Sequence, residues 1–370
     1  MGSFDREQYI RMLKYYYARV NACSVTENGQ FLLALLKNNE LALYTLREIL
    51  DRSLDENIEK TEEERHTPEV IFSLDCSDTL VNESSVNALS TRFWAAGNGL
   101  FLSFFLFFNC FYSFLAFFLG EIKLYNLEST IADDDSSINI YLASKIQLAG
   151  SSLRVNVLFS TKQNLYSGCN DNHIYVHDKE SKENIFKINA HNEAVTALKI
   201  FEEEHTIFSA SFDGTIKRWD LRTKKPVMEI IPNSNENIAR KENGKWINAL
   251  DISSNMEFLV CGGGPKLSLW HCSSGRLVQH CQSESRINFV EYSPNDPSVI
   301  NFSGSERLFT KWNISKNIQT NIKSSIPNIY NVSRYCYDDF DYNLLVLSGN
   351  SFKIELCRND TFVDIPLYIN

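Results

Sequence analysis

The residues from Ala190 to Thr223, AHNEAVTALKIFEEEHTIFSASFDGTIKRWDLRT, constrain the fold more than any other stretch of this 370-residue chain. AVTALKI alternates as a strand, TIFSAS reads as a second, Phe212-Asp213-Gly214 closes a tight turn, and TIKRWDL returns as a third. A meander of this size cannot bury both of its faces alone, so it needs copies of itself to pack against.

Weaker copies recur along the chain: Val20 to Leu46, Val155 to Lys179, Ile247 to Cys272, Ile287 to Ser315, and Asn343 to Asn359. Where the first unit has Trp219 on its third strand, four of these copies carry Tyr44, His177, Trp270 and Trp312. The pattern is identified as that of WD40 repeats. In such a unit His191, a serine on the second strand (Ser209 or Ser211), Asp213 and Trp219 are placed to form a buried hydrogen-bonded chain that stiffens the hairpins. The fold class expected is all-β, a seven-bladed WD40 β-propeller over residues 20–370. A short helix precedes it in residues 1–19, where Ile10, Leu13, Tyr17 and Val20 fall at helical spacing behind Asp5. The terminal strand Phe362 to Ile369 is expected to close the ring beside N-terminal sequence.

The seventh copy is interrupted. Leu100 to Leu119, LFLSFFLFFNCFYSFLAFFL, holds no charge and nine phenylalanines, which meets the length criterion for a membrane span. Geometry opposes that reading: such a helix is about 30 Å long, whereas its ends must join strands about 5 Å apart. Removing residues 100–120 leaves SSVNALSTRFWAAGNGEIKLYNL, in which Asn98-Gly99 aligns with Asp213-Gly214 and Tyr125 with Trp219. Phe, Leu and Ser are reached by pyrimidine-rich codons, and Gly99 and Leu119-Gly120 can encode GU and AG borders. The run is therefore read as an apolar insertion in the second blade and a candidate translated intron, with no membrane partner.

A net charge of −10 argues against direct phosphate-backbone binding, which needs a concentrated cationic surface. Nine scattered cysteines, an odd number with no C-x-x-C pair, fit reduced thiols. The opening MGSFDREQYIRMLKYYYARV lacks the apolar core of a secretory leader. Arg47 to Glu69 is acidic and reads as a solvated inter-blade loop; Asp133-Asp134-Asp135 reads the same way, since its contiguous carboxylates do not have the spacing of a calcium loop. His271-Cys272 and His280-Cys281 are not spaced as a zinc set. No P-loop, H-E-x-x-H, G-x-S-x-G or kinase set occurs, so no enzyme activity, cofactor or metal is expected.

DGTIKRWDLRTKKPVMEI, followed by NGKWINALDISSNMEFLVCGGGPKLSLWHC, closely resembles the THO complex subunit 6 family. The residues that carry the resemblance are Asp213-Gly214, Trp219 to Thr223, Gly244, Trp246-Ile247, and Cys261-Gly262-Gly263-Gly264-Pro265 with Leu267, Leu269, Trp270 and His271. The glycine run is expected to permit positive φ and close backbone approach. The resemblance implies a nuclear, non-enzymatic scaffold subunit of the THO/TREX assembly in mRNA processing and export, with other THO/TREX subunits as partners and RNA met only indirectly. Ile207 to Arg222 also resembles the box by which propellers dock onto the adaptor of cullin-4 ubiquitin ligases. That alternative implies an adaptor contact at Asp220 and Arg222.

Overall fold

The computed structural model describes residues 20–25, 29–36, 40–46, 49–50, 68, 70–73, 86–90, 110–117, 121–132, 135–148 and 153–368, the last with short gaps at 162, 202, 204, 241–243, 284, 338–341 and 359–362. The expected helix in residues 1–19 and the turn at Asn98-Gly99 lie outside them. Among the described residues the chain is nearly all strand, and helix is limited to a 3-10 turn at Pro232–Ser234 and a few positions between 46 and 50.

Every sheet is an antiparallel meander of four sequential strands. The first holds β1 to β4 (Val20–Val25, Phe31–Leu36, Glu40–Thr45, Val70–Ser73), and the second β5 to β8 (Val86–Ser90, Cys110–Phe117, Glu121–Ala132, Asp135–Gln147). The third holds β9 to β12 (Val155–Ser160, Asn164–Cys169, His173–Asp178, Asn184–Asn189), and the fourth β13 to β16 (Val195–Phe201, Thr206–Ser211, Ile216–Asp220, Lys225–Ile230). Then come β17 to β20 (Ala249–Ile252, Phe258–Gly262, Lys266–His271, Arg276–Gln282) and β21 to β24 (Ile287–Tyr292, Val299–Gly304, Leu308–Asn313, Ile318–Lys323). The last sheet is β25 to β28 (Ile329–Tyr337, Tyr342–Gly349, Lys353–Arg358, Val363–Tyr368).

Six of these sheets have blade form, with strands of similar length. The β5–β8 sheet is built differently, which corrects the expected count of seven like blades to six. Its β7 and β8 run for 12 and 13 residues, because both segments keep strand-compatible alternation through the place where an inter-blade connection was expected; Asp135 already opens β8. Part of the apolar run lies in a strand of this sheet. Its second half, Cys110–Phe117, is β6, with Val86 opposite Phe117 and Leu89 opposite Leu115. Aromatic and aliphatic residues favour a pleated, covered surface, so this segment supplies a strand rather than a loop.

The chain divides into two compact units, one of residues 1–117, 123–145 and 324–370, the other of 118–122 and 146–323. In the first, a core of Leu32, Ala34, Tyr44, Leu344, Val346, Ile354 and Leu367 joins the first and last sheets. Ile49 and Leu50 are buried in it, so the start of the segment expected to be a solvated acidic loop is core. β28 pairs with β27 as the outer strand of its own sheet. The first and last sheets also meet through Val20 N–H donating to Ser351 O and Tyr44 Oη, from the first sheet, donating to Tyr368 O of β28.

In the second unit, clusters of buried residues bridge successive sheets: Tyr166 and Val176 pack with Val195, Ile207 and Trp219, Phe208 and Ile216 with Leu250, Leu259 and Trp270, and Val260 and Leu269 with Ile287, Phe302 and Trp312. Bulges recur at fixed places. On the innermost strands β9, β13 and β25 the register steps past the second residue, and its side chain donates to a carbonyl of the next sheet: Asn156 to Val195 O, Thr196 to Ile247 O, and Tyr330 to Val20 O. On the outer strands β12, β16 and β20 the ladder skips a residue beside His177, Trp219 and Trp270, leaving Ile185, Val227 and Val278 exposed.

Candidate functional site

The hairpins of β13 to β16 bring His191, Ser209, Asp213 and Trp219 together. Trp219 Nε1 donates to Ser209 Oγ at 2.9 Å, and Ser209 Oγ lies 2.7 Å from His191 Nε2. His191 Nδ1 faces Thr215 Oγ1 at 2.9 Å and Asp213 Oδ2 at 3.3 Å. Asp213 also accepts from the Asn192 and Thr215 backbone N–H groups at 2.9 and 2.8 Å and from Thr215 Oγ1 at 2.7 Å. Burial acts to raise the Asp213 pKa, but the bonds from His191, Asn192 and Thr215 outweigh it and hold the carboxyl well below the usual carboxylate range.

The order Ser209, His191, Asp213 has the connectivity of a nucleophile with its base and orienting acid. Ser209 is fully buried and its oxygen already accepts from Trp219, so no substrate carbonyl can reach it. The network is a tie between hairpins. Of the two serines, Ser209 is the hub. Ser211 caps the turn instead, accepting from Asp213 N–H and donating to Glu193 O. Thr215, two residues beyond Asp213, completes the chain, and its position in D-G-T was the signal for it.

Other blades vary the tie. Trp270 Nε1 donates to Ser268 Oγ at 2.8 Å, and Cys261 Sγ lies 3.2 Å from the same oxygen; Ser268 is on the strand of the tryptophan and was not anticipated. Trp312 donates to Asn317 Oδ1. His177 has only Asn184 Nδ2 at 3.3 Å from Nε2, and its buried Nδ1 has no hydrogen-bond partner. His271 bonds Ser274 and His280 sits opposite Ser268. Among the described residues no three His, Cys, Asp or Glu side chains gather as a metal set.

Asp220 and Arg222 lie at the end of β15. Arg222 Nε is 3.2 Å from Asp220 Oδ1, and Arg222 N–H donates to the same oxygen at 2.8 Å. Hydrogen bonds from Arg222 lower the Asp220 pKa. The Arg222 side chain is 71% exposed.

The glycine run has one of its two expected bases, close backbone approach, and lacks the other. None of Gly262, Gly263 and Gly264 has positive φ; Gly244 does, at 74°. What excludes a side chain is contact: a Cβ on Gly263 would lie 2.3 Å from Trp246 O, and one on Gly264 2.1 Å from Arg240 Nη1. Trp246 Nε1 donates to Gly263 O at 3.0 Å, and Arg240 Nη2 donates to Trp246 O at 2.6 Å. Pro265 follows, with its carbonyl accepting from Ser283 N–H. Beside this turn a cleft of about 380 Å³ opens over Asp213 and Thr215, with Asn192, Asn233 and Lys245 on its walls. The sequence motif marks Trp246 and the glycines, whereas no motif marks Arg240.

The description "WD domain, G-beta repeat" matches residues 182–220. The chain is 27% identical to human THO complex subunit 6 over 173 residues, 46% of this chain and 49% of that protein. A THO complex subunit 6 homolog of Danio rerio is 39% identical over 111 residues, covering 30% and 34%. THO complex subunit 6 of Drosophila melanogaster is 25% identical over 220 residues, covering 58% and 60%. The resemblance to THO complex subunit 6 thus extends across fish, fly and human proteins, and the chain spans about half the length of most of these relatives. A chain in the crystal structure of the Mitotic Checkpoint Complex superposes with a TM-score of 0.60 at 14% identity, covering 90% of this chain and 84% of that one. The fold is an all-β WD40 propeller.

Proposed function

We propose that this chain is a non-enzymatic WD40 scaffold subunit of the THO/TREX assembly, acting in nuclear mRNA processing and export through protein contacts. The observation that carries the reading is the similarity to THO complex subunit 6 proteins of human, fish and fly. Two features of the chain agree with it. Its polar clusters serve as internal ties, with Ser209 sealed from solvent, and its net charge of −10 leaves RNA to be met through other subunits. Among the described residues no helix is long and apolar enough to cross a membrane. Tagged chain recovered from nuclei should bring down THO subunits in stoichiometric amounts. Their absence from a preparation of folded protein would reject the assignment.

Docking to a cullin-4 adaptor is the second reading, favoured by the exposed, pre-oriented Arg222 beside Asp220. Arg222→Ala should abolish adaptor recovery and leave THO recovery intact; the reverse pattern would reject it. We further propose that residues 100–120 are a translated intron, on the strength of the alignment of their flanks with Asp213-Gly214. Transcript reads that all retain this stretch would overturn that.

A further inference from the structure

Two arginines pack against the Trp246 ring. The guanidinium carbon of Arg240 lies 5.5 Å from its ring centre and that of Arg286 4.9 Å. Arg240 is held from three sides: its N–H donates to Asn233 Oδ1, its Nη2 donates to Trp246 O, and its Nη1 rests against Gly264. That Nη1 is buried without a hydrogen-bond partner, and the Arg286 guanidinium is exposed. Neither arginine forms an ion pair among the described residues. Two like charges are thus packed on one indole with no carboxylate between them, in a protein that carries ten more negative than positive charges. Burial, and behind it the Arg286 charge, lower the Arg240 pKa.

We propose that Arg240, Trp246 and Arg286 form a docking platform for an acidic, Asp- or Glu-bearing segment of a protein partner. An incoming carboxylate can take the fork of the exposed Arg286 in its own plane with paired, charge-assisted hydrogen bonds, with the charge of Arg240 behind it, and Trp and Arg are the residues that dominate interface energetics. A nucleic acid fits worse. Its bases would need an open aromatic face, whereas the Trp246 ring already carries two cations, and the chain's acidic balance repels a polyanion. This inference adds a surface to the scaffold reading but does not depend on it, since any acidic partner would serve.

The test uses the full chain and a fluorescein-labelled peptide of alternating Glu and Gly, followed by anisotropy at low and moderate salt. Arg286→Glu is the informative variant because the Arg286 guanidinium makes no hydrogen bond that folding needs. It should keep the wild-type thermal midpoint and weaken peptide binding by about tenfold or more, with Arg286→Lys falling between. Arg276→Glu, at the opposite end of its blade, should change binding by less than about twofold, and a uridine oligomer should not displace the peptide. Wild-type protein that fails to bind, equal losses at Arg276 and Arg286, or displacement by the uridine oligomer would each overturn the proposal.

Discussion

Acidification from about pH 7.5 to about pH 5 should remove about 2 kcal/mol of stability through His177 alone. The side chain is 1% exposed, at the position where neighbouring blades carry Trp219 and Trp270. Asn184 Nδ2 donates to its Nε2, so the ring is neutral with its proton on Nδ1. Burial pulls its pKa from 6.5 down to about 4. In the folded state the ring therefore stays neutral to about pH 4, while the unfolded chain binds a proton as soon as pH drops below 6.5. The penalty is absent well above 6.5 and grows progressively from there toward 4, where it reaches about 3 kcal/mol. Asp213 cannot produce this effect: its depressed pKa contributes stability that persists above its ordinary value of 3.8 and is lost only below it. Urea unfolding of the wild type and of His177→Phe, followed by tryptophan fluorescence at both pH values, isolates the penalty. Equal losses of stability in the two proteins would refute the reasoning.

Ser209→Ala should cost about 2–4 kcal/mol, because it strands the Trp219 N–H and the His191 Nε2 in a dry site. In a double-mutant cycle Trp219→Phe should then cost less than it does alone, and additive costs would deny the tie. Gly263→Ala drives a methyl onto the Trp246 carbonyl and should lower stability by about 1–3 kcal/mol. Gly275→Ala, with φ of 62° but nothing nearer than 3.8 Å, should cost about 1 kcal/mol; thermal melts rank the two. Burial pushes the thiols of Cys23, Cys169 and Cys281 up to about 12, so they should resist a thiol reagent at neutral pH in folded protein and react once urea exposes them.

How much of this the sequence disclosed varies by element. β13 to β15 were readable almost to the residue, because alternation, the D-G turn and Trp219 are local signals that agree with one another. The tie was readable as far as its four members, while the choice between Ser209 and Ser211 was not, since both occupy the same strand face and only register separates hub from cap. β6 was hidden because an unbroken apolar run has no period with which to announce a strand. Arg240 was hidden for another reason. Its role arises where a loop, a glycine turn and a neighbouring sheet converge, and no spacing along the chain encodes that meeting.

The latches of the innermost strands bear on why the copies of this repeat are so faint. An amide of Asn156, a hydroxyl of Thr196 and a phenol of Tyr330 do the same work, and each ends on a main-chain carbonyl. Such an acceptor is present whatever residue bears it. Each junction therefore needs only some donor of suitable reach on one side and imposes nothing on the side chain across from it. A lineage can drift freely at these joints, one partner at a time, without passing through a broken intermediate. Homology between blades then fades from the residues while the spacing of the joints endures.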